Sequence, residues 1–319
     1  MFKKTAIILG IVCVVALGFW VAFTWGVVGE GGYETIDKSY TASLDSDGSL
    51  VIDGDAEITV ERGASFSIRC VAQIAKQRSE LVSFDHETAG KEHIFTLRDG
   101  RGAHINVGER ATITVVVPED FEGSLAASSG VGQCNITGLQ LTALDINCET
   151  GRVALKQVSA QEVRVQQDTG AFSGQELLAD NVDIRNDTGE VRVENSKIGS
   201  LKTDMDTGLM TAEASIIDNW THSGSTGAVA ATGLTANDGA YGIAVDTGSI
   251  DLEFVEISSG VVAQTDTGRA RVAIPAGVVV DATLDSDIGG QDISVEQGNG
   301  GLPIEMYSDV GSLTLEYAG

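Results

Sequence analysis

Apolar and polar residues alternate along most of this chain, and the alternation resets at a short polar tripeptide every 19 to 22 residues. Asp-Thr-Gly stands at Asp168-Thr169-Gly170, Asp187-Thr188-Gly189, Asp206-Thr207-Gly208, Asp246-Thr247-Gly248 and Asp266-Thr267-Gly268. Degenerate copies fill the intervals: Glu149-Thr150-Gly151, Ser225-Thr226-Gly227, Asp287-Ile288-Gly289 and Asp309-Val310-Gly311, with Gly130 leading. Apolar residues fall seven and five positions before each marker glycine, as in Leu144/Ile146, Val163/Val165, Val182/Ile184, Tyr241/Ile243 and Ile304/Met306. They fall again two and four positions after it, as in Val153/Leu155, Val191/Val193, Ile250/Leu252, Ala270/Val272 and Leu313/Leu315.

Period two on both sides of a turn predicts strand, Asx-type turn, strand, with one face inward. Asp is expected to accept a backbone hydrogen bond across that turn, and Gly to take a conformation a β-carbon disfavours. A second turn seven to nine residues past the marker returns the chain to the next rung. A fixed period near twenty means stacked repeats. The fold class expected is all-β, a parallel β-solenoid with rungs of 19–22 residues over 123–319.

Each rung offers about four inward aliphatic side chains, worth roughly 1.5–3 kcal/mol apiece when buried. Ordering its backbone costs roughly 1–2 kcal/mol per residue, so no rung stands alone and stability comes from stacking. Trp220 and His222 occupy the inward slots of one rung, which departs from the pattern.

Residues 41–122 alternate without the tripeptide: Ala56–Glu61, Phe66–Val71, His93–Arg98 and Ala111–Val117, the last closed by Pro118. This N-terminal β region reads as antiparallel strands. Val272-Ala273-Ile274-Pro275 echoes Val115-Val116-Val117-Pro118, which hints at a coarse duplication. Residues 29–40 read as a linker.

No charged residue occurs in the 24 positions from Thr5 to Val28. At about 1.5 Å per residue that run spans a hydrocarbon core of about 30 Å. Lys3 and Lys4 place residues 1–4 in the cytoplasm, so 5–28 reads as a transmembrane signal anchor and the rest as an extracytoplasmic domain. A cleaved signal peptide is the rival, against which stand the length of the run and the lack of an Ala-x-Ala-like site.

Acidic residues number 46 against 20 basic, a formal charge of −26, which excludes a phosphate backbone as a natural partner. Asp246-Thr247-Gly248-Ser249 spells the aspartic-protease signature. Such an enzyme needs two carboxylates sharing one proton, whereas this tripeptide recurs five times at the rung period, as a turn would. A column of Glu149, Asp168, Asp187, Asp206, Asp246, Asp266, Asp287 and Asp309 is a candidate calcium surface. One carboxylate per rung is thin for an ion that takes six to eight oxygens. His86, His93, His104 and His222 show no metal-ligand spacing. Cys134, placed four after Gly130, and Cys148 both point inward and are a candidate disulfide; Cys70 has no obvious partner. No catalytic, cofactor-binding or metal-ligating residue is assigned.

The order of apolar anchor, alternating strands, Val115-Val116-Val117-Pro118-Glu119-Asp120-Phe121-Glu122-Gly123, Ser128-Ser129-Gly130-Val131-Gly132 and Asp-Thr-Gly rungs resembles the bacterial DUF4097 family of putative adhesins over roughly 45–319. The resemblance implies a membrane-anchored β-repeat module of the cell envelope and brings no catalytic residues. The function expected is non-enzymatic: an adhesin, or an envelope scaffold or sensor, with an unknown envelope or surface ligand. The alternatives are a carbohydrate-active β-helix enzyme and a calcium-stabilised binding module. The rungs vary by at most three residues in length, which leaves no long catalytic loop. The C-terminal rung, left uncovered by sequence order, is a candidate self-association edge.

Overall fold

Backbone hydrogen bonds run between neighbouring rungs rather than within them, because each rung is a long strand laid in parallel on the next. The computed structural model describes residues 32–99, 109–237 and 239–319. Its strands are β1 (Tyr33–Tyr40), β2 (Ser49–Asp53), β3 (Glu57–Gly63), β4 (Ser67–Ala75), β5 (Val82–Ala89), β6 (Glu92–Asp99), β7 (Arg110–Pro118) and β8 (Ser124–Thr137). There follow β9 (Gln140–Lys156), β10 (Ser159–Gln175), β11 (Leu178–Glu194), β12 (Lys197–Glu213), β13 (Ile216–Ala236), β14 (Ala240–Ile257) and β15 (Gly260–Ile274). β16 (Val280–Ile288), β17 (Gln291–Ile293) and β18 (Leu302–Tyr317) complete the set. The architecture is an all-β parallel solenoid. Residues 1–4 and the apolar segment 5–28 lie outside the described residues; among those described, no helix is long and apolar enough to cross a membrane.

β8 through β15 stack in sequence order and in register, Gly151 on Gly132, Gly170 on Gly151, and so on to Gly268 on Gly248. The predicted inward positions are inward: Leu144, Ile146, Val153 and Leu155 are all buried, as are Trp220 and His222. The rung is richer than four aliphatics. Along 158–174 the buried positions are Val158, Ala160, Val163, Val165, Gln167, Phe172 and Gly174. Volumes are traded along the wall: Leu177 and Phe172 fill the space beside Gly174, where a Cβ would meet them at 2.6 and 3.2 Å. Close packing of this kind is what makes a stack cohere.

Four sequence expectations are corrected here. The leading marker is Gly132, not Gly130, because Gly132 is the residue that pairs with Gly151. Cys134 therefore sits two places after its marker rather than four, still inward. The returning corner lies six residues past the marker, at Gly138, Gln157, Glu176, Asn195, Ala214 and Gly233, all left-handed. Residues 33–40 are not linker but a strand, antiparallel to β4.

The left-handed corner makes a prediction. Ala214 has φ of 47° and is exposed, and at the equivalent corner Gly138 and Gly233 adopt φ of 72° and 66°. An L-residue there costs roughly 1–2 kcal/mol, against roughly 0.5–1 kcal/mol of extra chain entropy for glycine. Ala214→Gly is therefore expected to stabilise the protein by about 0.5–1 kcal/mol. A lower urea midpoint than wild type would contradict it.

The N-terminal region is mixed rather than antiparallel. β1–β4, β4–β7 and β5–β6 are antiparallel. β2 lies in parallel between β6 and β8, and β3 in parallel between β7 and β8. The first rung is thus β2–β3, and the chain next builds an outer rung from β6 and β7 before stepping back over it to β8. The other end mirrors this. β18 pairs with β15 on one side and with β16 and β17 on the other, so the last rung in sequence is wedged inside the stack. The outermost rung is β16–β17, and β18 offers no free edge. The Pro118 and Pro275 echo gains a meaning: each proline closes the strand from which the chain skips one rung.

Candidate functional site

At the marker corner the chain bends while its neighbours above and below remain hydrogen-bonded. The glycines there have φ near 150°, and a Cβ on Gly170 would lie 1.7 Å from the carbonyl oxygen of Gly151. Glycine is required by a close approach of backbone to backbone, repeated through the stack. The preceding residue, Thr150, Thr169, Thr188, Thr207, Thr226, Thr247 or Thr267, is exposed. In stacking order these seven threonines are flanked by exposed Val131 at one end and by Val310 and Ile288 at the other. The ridge is β-branched along its whole length.

Beside it runs the acidic column, and Asp168, Asp187, Asp206, Asp246, Asp266 and Asp309 all face solvent. Among the described residues none of these carboxylates makes the cross-turn hydrogen bond expected of it. In several rungs the inward residue three before the marker instead donates to a backbone carbonyl of the adjacent rung. Ser129 Oγ donates to Ala56 O at 2.9 Å, Gln167 Nε2 to Gly151 O at 3.4 Å, Asn186 Nδ2 to Gly170 O at 3.3 Å and Ser286 Oγ to Gly311 O at 3.1 Å. The change of residue from rung to rung hides this column from a sequence reading: Cys148, whose Sγ also reaches Gly132 O at 3.8 Å, Met205 and Val245 hold the same slot.

The outward face near the column is concave where Gln166, Asp168, Arg185, Asp187, Asp204 and Asp206 meet. Lys202 pairs with Asp183 at 3.8 Å. Among the described residues no group of three or more His, Cys, Asp or Glu side chains is placed to share a metal ion. The protease spelling at 246–249 lies on the same outer corner, one copy per rung and stacked on its likenesses. Cys134 and Cys148, the candidate disulfide, are free buried thiols, as is Cys70; burial pushes Cys70 and Cys134 up to about 12.

His222 is 4% exposed, and its Nδ1 lies 2.8 Å from Thr203 Oγ1, which also accepts from Trp220 Nε1 at 3.1 Å. Because Trp220 can only donate, the Thr203 hydroxyl proton is free to serve His222 Nδ1. Burial lowers the His222 pKa from 6.5 to about 4, with Asp204 acting weakly the other way. Between these values the unfolded chain binds a proton that the folded chain refuses. His222 therefore costs no stability above pH 6.5, and its penalty grows as pH falls toward about 4, reaching roughly 3 kcal/mol. Melting temperature is expected to fall on acidification through that window, and less so in His222→Phe; equal slopes would contradict the assignment. The structure also brings together His86 and His93, which their spacing did not suggest.

The family model described as Toastrack DUF4097 matches residues 49–317, most of the chain. The chain belongs to the Toastrack DUF4097 family. No curated protein matches this Toastrack chain. Solved structures similar to it include a "putative adhesin" from Parabacteroides distasonis ATCC 8503, with 14% identity over 91% of this chain and 98% of that one, TM-score 0.39. A "putative adhesin" from Bacteroides fragilis NCTC 9343 shares 11% identity over 89% and 97%, TM-score 0.42. A "putative lipid binding protein" from P. distasonis ATCC 8503 shares 9% over 91% and 98%, TM-score 0.42.

Proposed function

We propose that this Toastrack protein is a non-enzymatic component of the cell envelope, anchored in the membrane through residues 5–28, whose solenoid presents an extended adhesive or scaffolding face outside the cytoplasm. The observation that carries this reading is the uniform ridge. Ten stacked corners repeat one exposed β-branched position, over about 43 Å at about 4.8 Å per rung. A catalytic site concentrates unlike groups in one pocket, whereas a repeated ridge suits an extended ligand or partner.

Charge supports the orientation. Residues 203–319 hold 18 acidic residues and two basic ones, so the C-terminal half of the stack is repelled by anionic headgroups. The N-terminal end, which follows the apolar segment, stands nearer the bilayer. Two measurements test the proposal together. Proteolysis of intact cells should digest the solenoid while a tag ahead of Thr5 survives in the membrane fraction. The purified chain should bind immobilised envelope glycans or surface proteins and lose that binding when Thr188 and Thr207 are changed to lysine. Release of the solenoid from membranes by salt, or cleavage of any polysaccharide in a panel, would overturn it.

A further inference from the structure

The hairpin of β5 and β6 closes the N-terminal end of the stack, with β6 laid in parallel on β2 and β5 outside it. His86 on β5 and His93 on β6 are diagonal neighbours, since His86 pairs with Phe95 and Thr88 with His93. Nε2 of His86 lies 3.1 Å from Nδ1 of His93. The two rings are 12° from coplanar with centroids 5.3 Å apart, which puts both nitrogens close to the line between the ring centres. Lone pairs so placed meet head-on. They share a hydrogen rather than converge on a metal ion, whose bonds of about 2.0–2.1 Å would require the two nitrogens to point at a common third site.

The His86 ring also lies flat against Phe95, 4.3 Å away and 3° from parallel. Among the described residues, the side chains in ring, hydrogen-bond or strand-pairing contact with the pair and its stacked phenylalanine carry no charge. They are Tyr40 from β1, Phe66 ahead of β4, Phe84 and Thr88 along β5, and Leu50 at the position of β2 paired with His93. Asp85, Glu87 and Glu92 alternate to the opposite side of the hairpin, and Lys91 at its turn is held by Asp47 at 2.6 Å.

We propose that His86 and His93 form a proton-operated latch on this hairpin. With both rings neutral, one ring N–H donates to the bare nitrogen of the other. One added proton is tolerated, because an imidazolium still donates to its neutral partner and a positive ring is favoured over the face of Phe95. A second proton leaves two N–H groups facing each other with no lone pair between them, and two cations with no carboxylate beside them. The bond is lost, the hairpin loosens from β2, and Phe84 and Phe95, both fully buried, lose their cover. Burial, and secondarily the His93 charge, hold His86 below the ordinary histidine range. The latch is therefore closed at neutral pH and opens only on acidification.

Hydrogen–deuterium exchange of the full chain tests this at about pH 7 and about pH 5, with exposure times scaled for intrinsic chemistry. Protection of residues 82–99 is expected to fall about tenfold at the lower pH while residues 140–194 hold theirs, and His86→Phe should abolish that selective loss. Equal protection of 82–99 at both pH values, or the same loss in His86→Phe, overturns the latch. Should that variant fail to fold, the imidazole C–H signals of the wild-type chain decide. Two separated titration steps, the lower coinciding with loss of hairpin protection, support it. Two independent steps of ordinary pKa with the hairpin still protected overturn it.

Discussion

Gly189→Ala is expected to destabilise the protein by more than about 4 kcal/mol, enough to unfold the middle of the stack at room temperature. Two costs combine. The φ of 151° at Gly189 belongs to a region that side-chain-bearing residues enter at roughly 1–3 kcal/mol. The new Cβ would also lie 1.7 Å from the carbonyl oxygen of Gly170, an overlap with backbone that no rotamer relieves. Relief requires β10 and β11 to part, which breaks their shared ladder and disturbs the next rung, since each rung is stable only through its neighbours. The matched control is Gly242→Ala, whose Cβ would meet nothing within 4 Å. That change should fall within about 0.5 kcal/mol of wild type. Circular dichroism melts of both variants provide the measurement, and a Gly189→Ala melt coinciding with that of Gly242→Ala would refute the close-approach account.

Trp220→Ala should cost about 3–5 kcal/mol, the range for a fully buried aromatic replaced by alanine. Trp220 is wholly buried, packs edge-on against Tyr241 at 6.0 Å, and supplies the N–H that Thr203 accepts. Its loss opens a cavity inside a wall where neighbouring rungs hold Leu201 and Tyr241, so the gap cannot collapse without shifting both. Trp220→Phe keeps most of the volume and removes only the donor, and should lose about 1–2 kcal/mol. Urea titration separates the two, and an alanine variant no worse than the phenylalanine one would show that the hydrogen bond, not the packing, dominates.

The rungs were legible because burial and periodicity are the same fact seen twice. Leu144, Ile146, Val153 and Leu155 had to alternate in order to be buried. The corner chemistry was legible only in outline. Asp-Thr-Gly marked the bend, yet the aspartate faces water, and the side-chain bond at the corner runs from Ser129, Gln167 or Asn186 to the adjacent rung, residues whose identity changes from rung to rung. Gly130 and Gly132 are both plausible markers by spacing, and only the pairing of Gly132 with Gly151 separates them. Spacing puts the returning corner one to three residues too late, because Gln157, Glu176 and Ala214 are not residues that announce a left-handed backbone. Strand order at the two ends is a matter of which edge is vacant when a strand arrives, and nothing in the local alternation of β2, β6 or β18 encodes it. His86 and His93, seven apart, meet through a hairpin whose register places them diagonally.

The two skipped rungs bear on how such a chain can change in length. A duplication at either terminus would have to enter a slot already closed on both sides, by β6 and β8 around β2 or by β15 and β16 around β18. Between β9 and β15 the order in space is the order in sequence, and one more unit of 19 residues, such as 152–170, slides in with glycine on glycine. Evolutionary lengthening or shortening of this molecule is therefore confined to its interior, with both ends inherited as fixed terminal pieces.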